Sequence, residues 1–411
     1  MNTMRDFKIT PSRTVVTSFN PKTTAASQQH KLQQQQQQMG EEDADYFEEG
    51  DWVLCVTSTD QWISCALSNG EIQIYDKDKL LQTNCYTNQS GLVTDLCRVY
   101  SNPNLLAATA TDGTLTLFDI RQAQQPALQL RLPRSDEESL SVSMGFDGNI
   151  AAVGSSKAKI HFFDVRNEKN LVGSYTQAHT SEVTRVRFQT MASFGTTTTT
   201  TSVLVSGAED GLACVFDTSL PSEEEALTNV LNVQSPVREV GFFGPQSEAI
   251  YVLTGSESLL LYHKDDAACR KNFGPDLRAH LSRQIGPGAA PFEYLIDCHW
   301  DAPRQELSLL AGSVKGDAGV FRVSEQDASL AHYLQGGHRG VLRAWQPLSS
   351  SMFVTVGEDA RMCEWNRLGR QTNAAAQRPP IVIMPKRTTT TVRPGGGKLR
   401  RPRSRMAASP Y

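Results

Sequence analysis

No stretch of this 411-residue sequence reaches the roughly 18–20 consecutive apolar residues that a helix needs to cross a bilayer, so no membrane-spanning role is expected. The opening Met1-Asn-Thr-Met-Arg5 has no apolar segment behind its charge, unlike a secretory leader. Eight cysteines, Cys55, Cys65, Cys85, Cys97, Cys214, Cys269, Cys298 and Cys363, lie scattered in apolar contexts. With no CxxC pair and no clustered Cys/His spacing, neither a zinc site nor a disulfide framework is signalled, and reduced thiols of an intracellular protein are the expectation. Catalytic signatures are missing as well: no GxSxG elbow, no phosphate-cradling GxxxxGK[ST], no HExxH and no GxGxxG after a strand. Gly395-Gly-Gly-Lys398 lacks the length and flanks of a phosphate loop, and Cys298-His299 is an isolated pair. Nothing assembles a nucleophile, a base and a stabilising site, so the chain reads as a non-enzyme without cofactor or metal.

Charge is present but divided. The formal net charge is −4, yet the 45 residues after Asn366 carry +11 with no Asp or Glu, which leaves −15 for the rest. Seven acids crowd between Glu41 and Asp51. Residues 1–48 are Thr/Ser/Gln-rich with a Gln33–Gln38 tract, and such composition is expected to stay mostly disordered because it cannot bury enough apolar surface. Within them Arg13–Phe19 is β-branched and reads as a strand. Residues 369–411 form a second, basic tail, interrupted by the apolar Ile381–Met384.

Between the tails, from 49 to 368, the chain repeats itself. Each unit ends on a turn signal, an alternating strand, then an aromatic and a polar residue. The endings are Asn69-Gly-Glu-Ile-Gln-Ile-Tyr-Asp76, Asp112-Gly-Thr-Leu-Thr-Leu-Phe-Asp119, Lys157-Ala-Lys-Ile-His-Phe-Phe-Asp164 and Asp210-Gly-Leu-Ala-Cys-Val-Phe-Asp217. Ser256-Glu-Ser-Leu-Leu-Leu-Tyr-His263, Lys315-Gly-Asp-Ala-Gly-Val-Phe-Arg322 and Asp359-Ala-Arg-Met-Cys-Glu-Trp-Asn366 complete seven. They stand 43, 45, 53, 46, 59 and 44 residues apart, around the spacing of a four-stranded propeller blade. A small-residue strand precedes each ending, as in Leu105-Leu-Ala-Ala-Thr-Ala110, and strand, Asp-Gly turn, strand is a hairpin signature. Helical periodicity is nearly absent here. The expectation is an all-β, seven-bladed propeller, closed by a strand from either Arg13–Phe19 or Ile381–Met384, with the former favoured.

The seventh unit, from Gly337-His338 through Thr355 and Asp359 to Trp365, resembles a complete WD40 repeat. In that family the His, Thr, Asp and Trp form a hydrogen-bonded tetrad, so the resemblance implies a structural role for His338, Thr355, Asp359 and Trp365. By alignment the fourth unit supplies His179, Ser206 and Asp210, with Phe216 in place of Trp. The second keeps Asp112 but has Ala108 where the hydroxyl belongs. The fifth and sixth are degenerate, and Trp300-Asp301 is a decoy because it precedes a strand.

Propellers bind partners on two faces. Glu182, Glu209, Arg339 and Glu358 neighbour the His-bearing loops and are candidate contacts at the channel mouth, weighed against ordinary solvated turn residues. On the opposite face, Phe118-Asp119-Ile-Arg121 and Phe163-Asp164-Val-Arg166 resemble the Trp-Asp-x-Arg box with which receptors dock on the adaptor of cullin-type ubiquitin ligases. Lys157 departs from the longer form of that box in the second copy. Two insertions break the spacing. Met191–Thr201 reads as a floppy hairpin tip, whereas Asp276–Ile285 has apolar residues at i, i+4 and i+8 and reads as a short amphipathic helix that either covers the propeller or grips a partner.

In the tail, Lys386 and Arg387, a ten-residue spacer, then Lys398, Arg400 and Arg401 match a bipartite nuclear-import signal, two cationic clusters for the acidic grooves of an import receptor. Weak RNA contact through phosphates is the competing use of those charges, without aromatics for base stacking. The combined expectation is a monomeric ring that scaffolds other proteins in the nucleus or nucleolus, with a cytoplasmic pool. A cullin-ligase substrate receptor is the alternative.

Overall fold

The structure, a computed structural model, describes residues 7–18, 50–87, 91–122, 125–166, 171–192, 198–286, 288–368 and 381–383. The Gln-rich and acidic stretch up to Glu49 and the basic clusters from Lys386 onward lie outside the described residues. Seven antiparallel sheets follow one another along the chain at 53–87, 93–131, 139–175, 183–232, 237–272, 294–334 and 342–366. In each, the strands pair in sequence order, the hairpin meander that alternating strands and tight turns dictate. The first strands, from Val53–Ser58 round to Leu342–Pro347, contact each other in a closed circle and line the central channel.

Turns between the second and third strands share one face with the links between blades, here the upper face; the other turns lie below. At Asp112-Gly113 the upper turn requires a φ of +76°, and a Cβ on Gly113 would strike the Glu137 carbonyl. Only glycine meets both demands without strain. Apolar residues on both sides of each sheet then fill the wedges between blades. Between the sixth and seventh blades, Trp345, Phe353 and Trp365 pack with Ile9, Leu310 and Val320.

The seventh blade has only three strands of its own, and both ends of the chain complete it. Arg13–Val16 runs antiparallel to Arg361–Asn366 as the fourth strand, and Ile381–Ile383 lies parallel outside it as a fifth. The two alternatives for closure are thus both used, one inside the other. Just before, Lys8–Ile9 pairs in parallel with the outer strand of the sixth blade, so the N-terminal segment staples two neighbouring sheets. Arg13 holds the buried Glu364 carboxylate through both of its oxygens, and Val15 enters the wedge with Val53, Val354 and Met362.

Closure by a strand distant in sequence predicts a sharp sensitivity. Val15→Asp buries an unpaired carboxyl in that wedge and is expected to cost at least ~3 kcal/mol, read as a lowered denaturant midpoint. Lys8→Ala, at an exposed site in the same segment, should leave the midpoint unchanged.

Candidate functional site

A complete tetrad in the seventh blade and a three-member version in the fourth sit in the wedges beneath the upper face. His338 lies in the link entering the seventh blade; its Nδ1 is 3.0 Å from Asp359 Oδ1 and its Nε2 2.8 Å from Thr355 Oγ1. Trp365 Nε1 donates to the same hydroxyl at 2.7 Å. Trp365 donates to Thr355 and His338 to Asp359; burial disfavours the imidazolium, but the Cys363 and Asp359 contacts outweigh it and push the His338 pKa up to about 10. The Arg339 backbone N–H adds a bond to Asp359 at 2.9 Å. Burial opposes ionisation of Asp359, but the His338 contact and that N–H outweigh it and hold the carboxyl below its usual range.

In the fourth blade His179 repeats the arrangement, 3.1 Å from Asp210 and 2.7 Å from Ser206, while Phe216 supplies bulk without a donor. Burial lowers the His179 pKa despite Asp210 beside it, which keeps the imidazole neutral and the ring an internal brace. The loop bearing His179 is also gripped from below, because the Glu223 carboxylate accepts the backbone N–H groups of Thr176, Gln177 and Ala178 at 2.7–2.8 Å.

The third blade is wired differently. Buried Glu137 accepts from Ser155 and lies 2.9 Å from His161, whose other nitrogen meets Ser174 at 2.7 Å. His161 and Ser174 stand at the register positions that Cys363 and Thr14 hold in the seventh blade, so the repeat supplies the positions while the histidine and its carboxylate partner are particular to this blade. The second blade retains Asp112, which caps its own turn by accepting from Thr114.

The channel holds a network that the repeat pattern does not reveal. Arg187 of the fourth blade donates to Asp95 of the second at 2.9 Å and to Ser141 of the third at 3.1 Å, and Arg185 donates to Glu239 of the fifth at 2.7 Å. Ser141 and the Val142 N–H also donate to Asp95. Burial disfavours the charge on Asp95, yet the two guanidiniums and these donors keep its pKa low. Asp297 of the sixth blade receives bonds from Tyr251 and the Cys298 N–H, and among the described residues no guanidinium is bonded to it. Burial first, and then the Glu239 carboxylate, push it up to about 7.

Among the proposed contacts at the channel mouth, Glu182, Glu209 and Arg339 are exposed, and Glu358 is half-buried and paired with Arg343. Arg343 in turn lies over Trp52, its guanidinium carbon 5.7 Å from the ring centroid, and Trp52 is 44% exposed at the start of the first blade. On the lower face Arg121 and Arg166 adopt one geometry: Nε meets the Oδ1, and Nη2 the Oδ2, of Asp119 and Asp164 at 2.9 and 2.6 Å. Both arginine side chains are 65% exposed.

The insertions differ from each other. The helix Leu277–Ser282 and the turn Arg283–Ile285 bury Leu277, Leu281 and Ile285 between the fifth and sixth blades, and Gln284 bonds Ala328 and Leu330 of the outer strand. This segment covers the propeller's own flank. The threonine-rich insertion is more ordered than a floppy tip: Val183–Ala192 and Thr198–Ala208 stay paired through Ala192↔Thr198, and only 193–197 fall outside the described residues. β-Branched threonines suit an extended hairpin, which explains the difference.

Two expectations follow. Thr355→Val keeps the side-chain shape but strands His338 Nε2 and the Trp365 N–H, so it should cost ~2–4 kcal/mol, against ~1–2 for Ser206→Ala, which strands one group. Thermal denaturation of the two variants gives the order. For Asp297 the folded value of about 7 stands above the unfolded 3.8, so the folded chain binds the extra proton between them. Stability from this group therefore falls as pH rises from about 4 to 7 and stays low above. Asp297→Asn should remove that slope, its melting temperature gaining on the parent between pH 5 and pH 8.

No family model matches the sequence. A WD repeat-containing protein 89 homolog of Dictyostelium discoideum is 25% identical over 324 residues, 78% of this chain and 84% of the relative. The WD repeat-containing protein GTS1 of Arabidopsis thaliana is 27% identical over 281 residues, 64% and 67% of the two chains. Among solved structures, a chain of a mitotic checkpoint complex superposes with a TM-score of 0.59 over 80% of this chain and 95% of its own, at 13% identity, a likeness of fold alone. The sequence runs Leu67–Lys77, Glu209–Asp217, Glu293–Ile296 and Leu334–His338 resemble WD repeat-containing protein 89 as well. Seven blades of four or five strands, a His-Thr-Asp-Trp tetrad in the last of them and these likenesses make the chain a seven-bladed β-propeller that resembles the WD repeat-containing proteins.

Proposed function

We propose that this propeller is a non-enzymatic scaffold in a nuclear or nucleolar assembly, and that it holds its partner on the upper face. The observation that carries the reading is Trp52, a large exposed aromatic stacked on Arg343, which Glu358 fixes at the channel mouth. Trp and Arg dominate the energetics of protein interfaces when a rigid surround holds them in place. The His338 tetrad and the His179 network beneath supply that rigidity, and Glu182, Glu209 and Arg339 form a polar rim. The nuclear part rests on the basic clusters of the tail, Lys386, Arg387, Lys398, Arg400 and Arg401, as an import signal.

A second reading, a substrate receptor of a cullin-type ubiquitin ligase, is favoured by one feature. Arg121 and Arg166 stand on adjacent blades of the lower face, each locked by its own aspartate and presented in the same orientation relative to its strand.

Proximity labelling in cells with the full chain separates these readings. Trp52→Ala with Arg343→Ala should remove a defined set of nuclear partners by at least about tenfold without lowering the melting temperature. Deletion of 386–411 should shift the chain to the cytoplasm. A cullin adaptor that is labelled by the parent and lost in Arg121→Ala/Arg166→Ala would replace the scaffold reading with the receptor. Labelling unchanged by all three alterations would overturn both.

A further inference from the structure

The outer strand of a propeller blade leaves a row of unpaired backbone groups, a template for pairing with another chain. Six of the seven edges here are protected. On the sixth blade the Tyr333 and Gln335 N–H groups donate to the Phe7 and Ile9 carbonyls at 2.8 and 3.2 Å, and the Gln284 side chain donates to Ala328 and accepts from Leu330. Ile381–Ile383 covers the seventh. On the first, Asn84 Oδ1 accepts the Cys85 N–H at 2.8 Å; on the third, Glu223 accepts that of Thr176 at 2.7 Å. The outer strands of the second and fifth blades are four residues long and carry Arg131, and Arg270 with Lys271, charges that discourage pairing.

The fourth blade is the exception. Its outer strand, Leu227–Asn232, runs six residues without a charge or a proline, and Val230 within it is 46% exposed. The Val233 N–H points inward to Gly211 at 3.0 Å, so alternation turns those of Val230 and Asn232 outward. Among the described residues no side chain accepts from either, and no strand lies outside them. The Tyr262 hydroxyl engages the Asn232 carbonyl at 3.2 Å and leaves its N–H.

This edge also matches the two that carry an added strand. Two and three residues before the closing aromatic of the third strand, the facing residues of the outer strand are Tyr333 and Leu334 in the sixth blade and Thr14 and Val15 in the seventh. Lys8–Ile9 and Ile381–Ile383 add at those positions, both in parallel. In the fourth blade the same positions are held by Val230 and Leu231. The neighbouring turn matches as well. Asn229 donates to the Lys264 carbonyl of the fifth blade at 2.7 Å, as Arg13 does to the Asp78 carbonyl of the first, and in the seventh blade that contact coexists with the added strand.

We infer that the outer edge of the fourth blade binds a partner protein by strand addition: an extended segment rich in β-branched residues pairs in parallel with Leu227–Asn232. The outward N–H groups of Val230 and Asn232 supply its main-chain bonds, and the exposed Val230 side chain packs beside its own. The site is independent of the upper-face reading, and a scaffold with both would join two proteins through one rigid body.

Random dodecapeptides displayed on phage and selected on the full chain test this, with the selected peptides synthesised and their affinities measured by fluorescence anisotropy. Peptides with runs of Ile, Val or Thr should be enriched, and should slow amide hydrogen exchange across 227–232. Val230→Pro removes an outward N–H that the blade itself does not use and should abolish binding. Val230→Lys keeps the backbone and should weaken binding about tenfold; it decides the matter if the proline lowers the melting temperature. A photo-crosslinker at the N-terminal end of the peptide should attach near Thr228, and one at the C-terminal end near Asn232. Peptides that bind both variants as well as the parent overturn the proposal, as do protection confined to other strands, the reverse crosslinking order, or a selection with no enrichment. Binding lost only on Trp52→Ala would overturn it while sustaining the upper-face reading. A parent that sediments as a dimer, with Val230→Lys a monomer, would overturn it by giving the edge to a second copy of this chain.

Discussion

A circle of sheets is stable only if its last sheet meets its first, and in this chain that meeting depends on four residues from near the N-terminus. Arg13–Val16 supplies the outer strand of the seventh blade, and without it the third strand of that blade would expose a row of unpaired backbone groups. Its placement also carries Val15 into the wedge shared with the first blade and sets Arg13 against Glu364. The neighbouring Lys8–Ile9 pairs with the sixth blade, so the closure spreads over two sheets. At the upper face the Asp51 N–H donates to Ser18 at 2.7 Å, so the start of the first blade meets the end of the closing strand.

Closure fixes the position of the inner strands, and the polar networks then have defined geometry to exploit. In the channel, Arg185 and Arg187 reach carboxylates on the second and fifth blades, which ties together the half of the ring farthest from the seam. Charges in such a position are expensive unless fully paired, so the network favours one arrangement of blades over others more than it adds stability. Under the upper face the His338 tetrad and the three-member His179 network brace the links between blades. The Glu223 carboxylate does the same for the loop that carries His179, with three backbone donors in place of a side-chain ladder.

Rigid rings have little freedom to close on a ligand, and recognition therefore falls to what their loops display. This one displays different chemistry on its two faces. Above, the exposed Trp52 lies under the Arg343 guanidinium; below, Arg121 and Arg166 are each held by their own aspartate. The helix 277–282, which has the pattern of a partner-binding element, spends its apolar side on the fifth and sixth blades.

The seven-fold repeat and the hairpins were legible in the residues, because period-two strands and Asp-Gly turns are each encoded within some forty residues of chain. The His338 tetrad, and Phe216 as its incomplete copy, followed from the resemblance to the WD40 repeat. The pairing of both termini on the seventh blade was only half legible, since Arg13–Val16 and Ile381–Ile383 each look like a strand but nothing local says which lies inside. Glu137 with His161, Arg187 with Asp95 and Trp52 with Arg343 could not be read at all. The last two join residues from different blades, and the first pairs a residue of the repeat with one from the link before the blade, so their distances are fixed only when the chain folds. The sequence by itself determined the blade; the tertiary structure decided what the blades bring together.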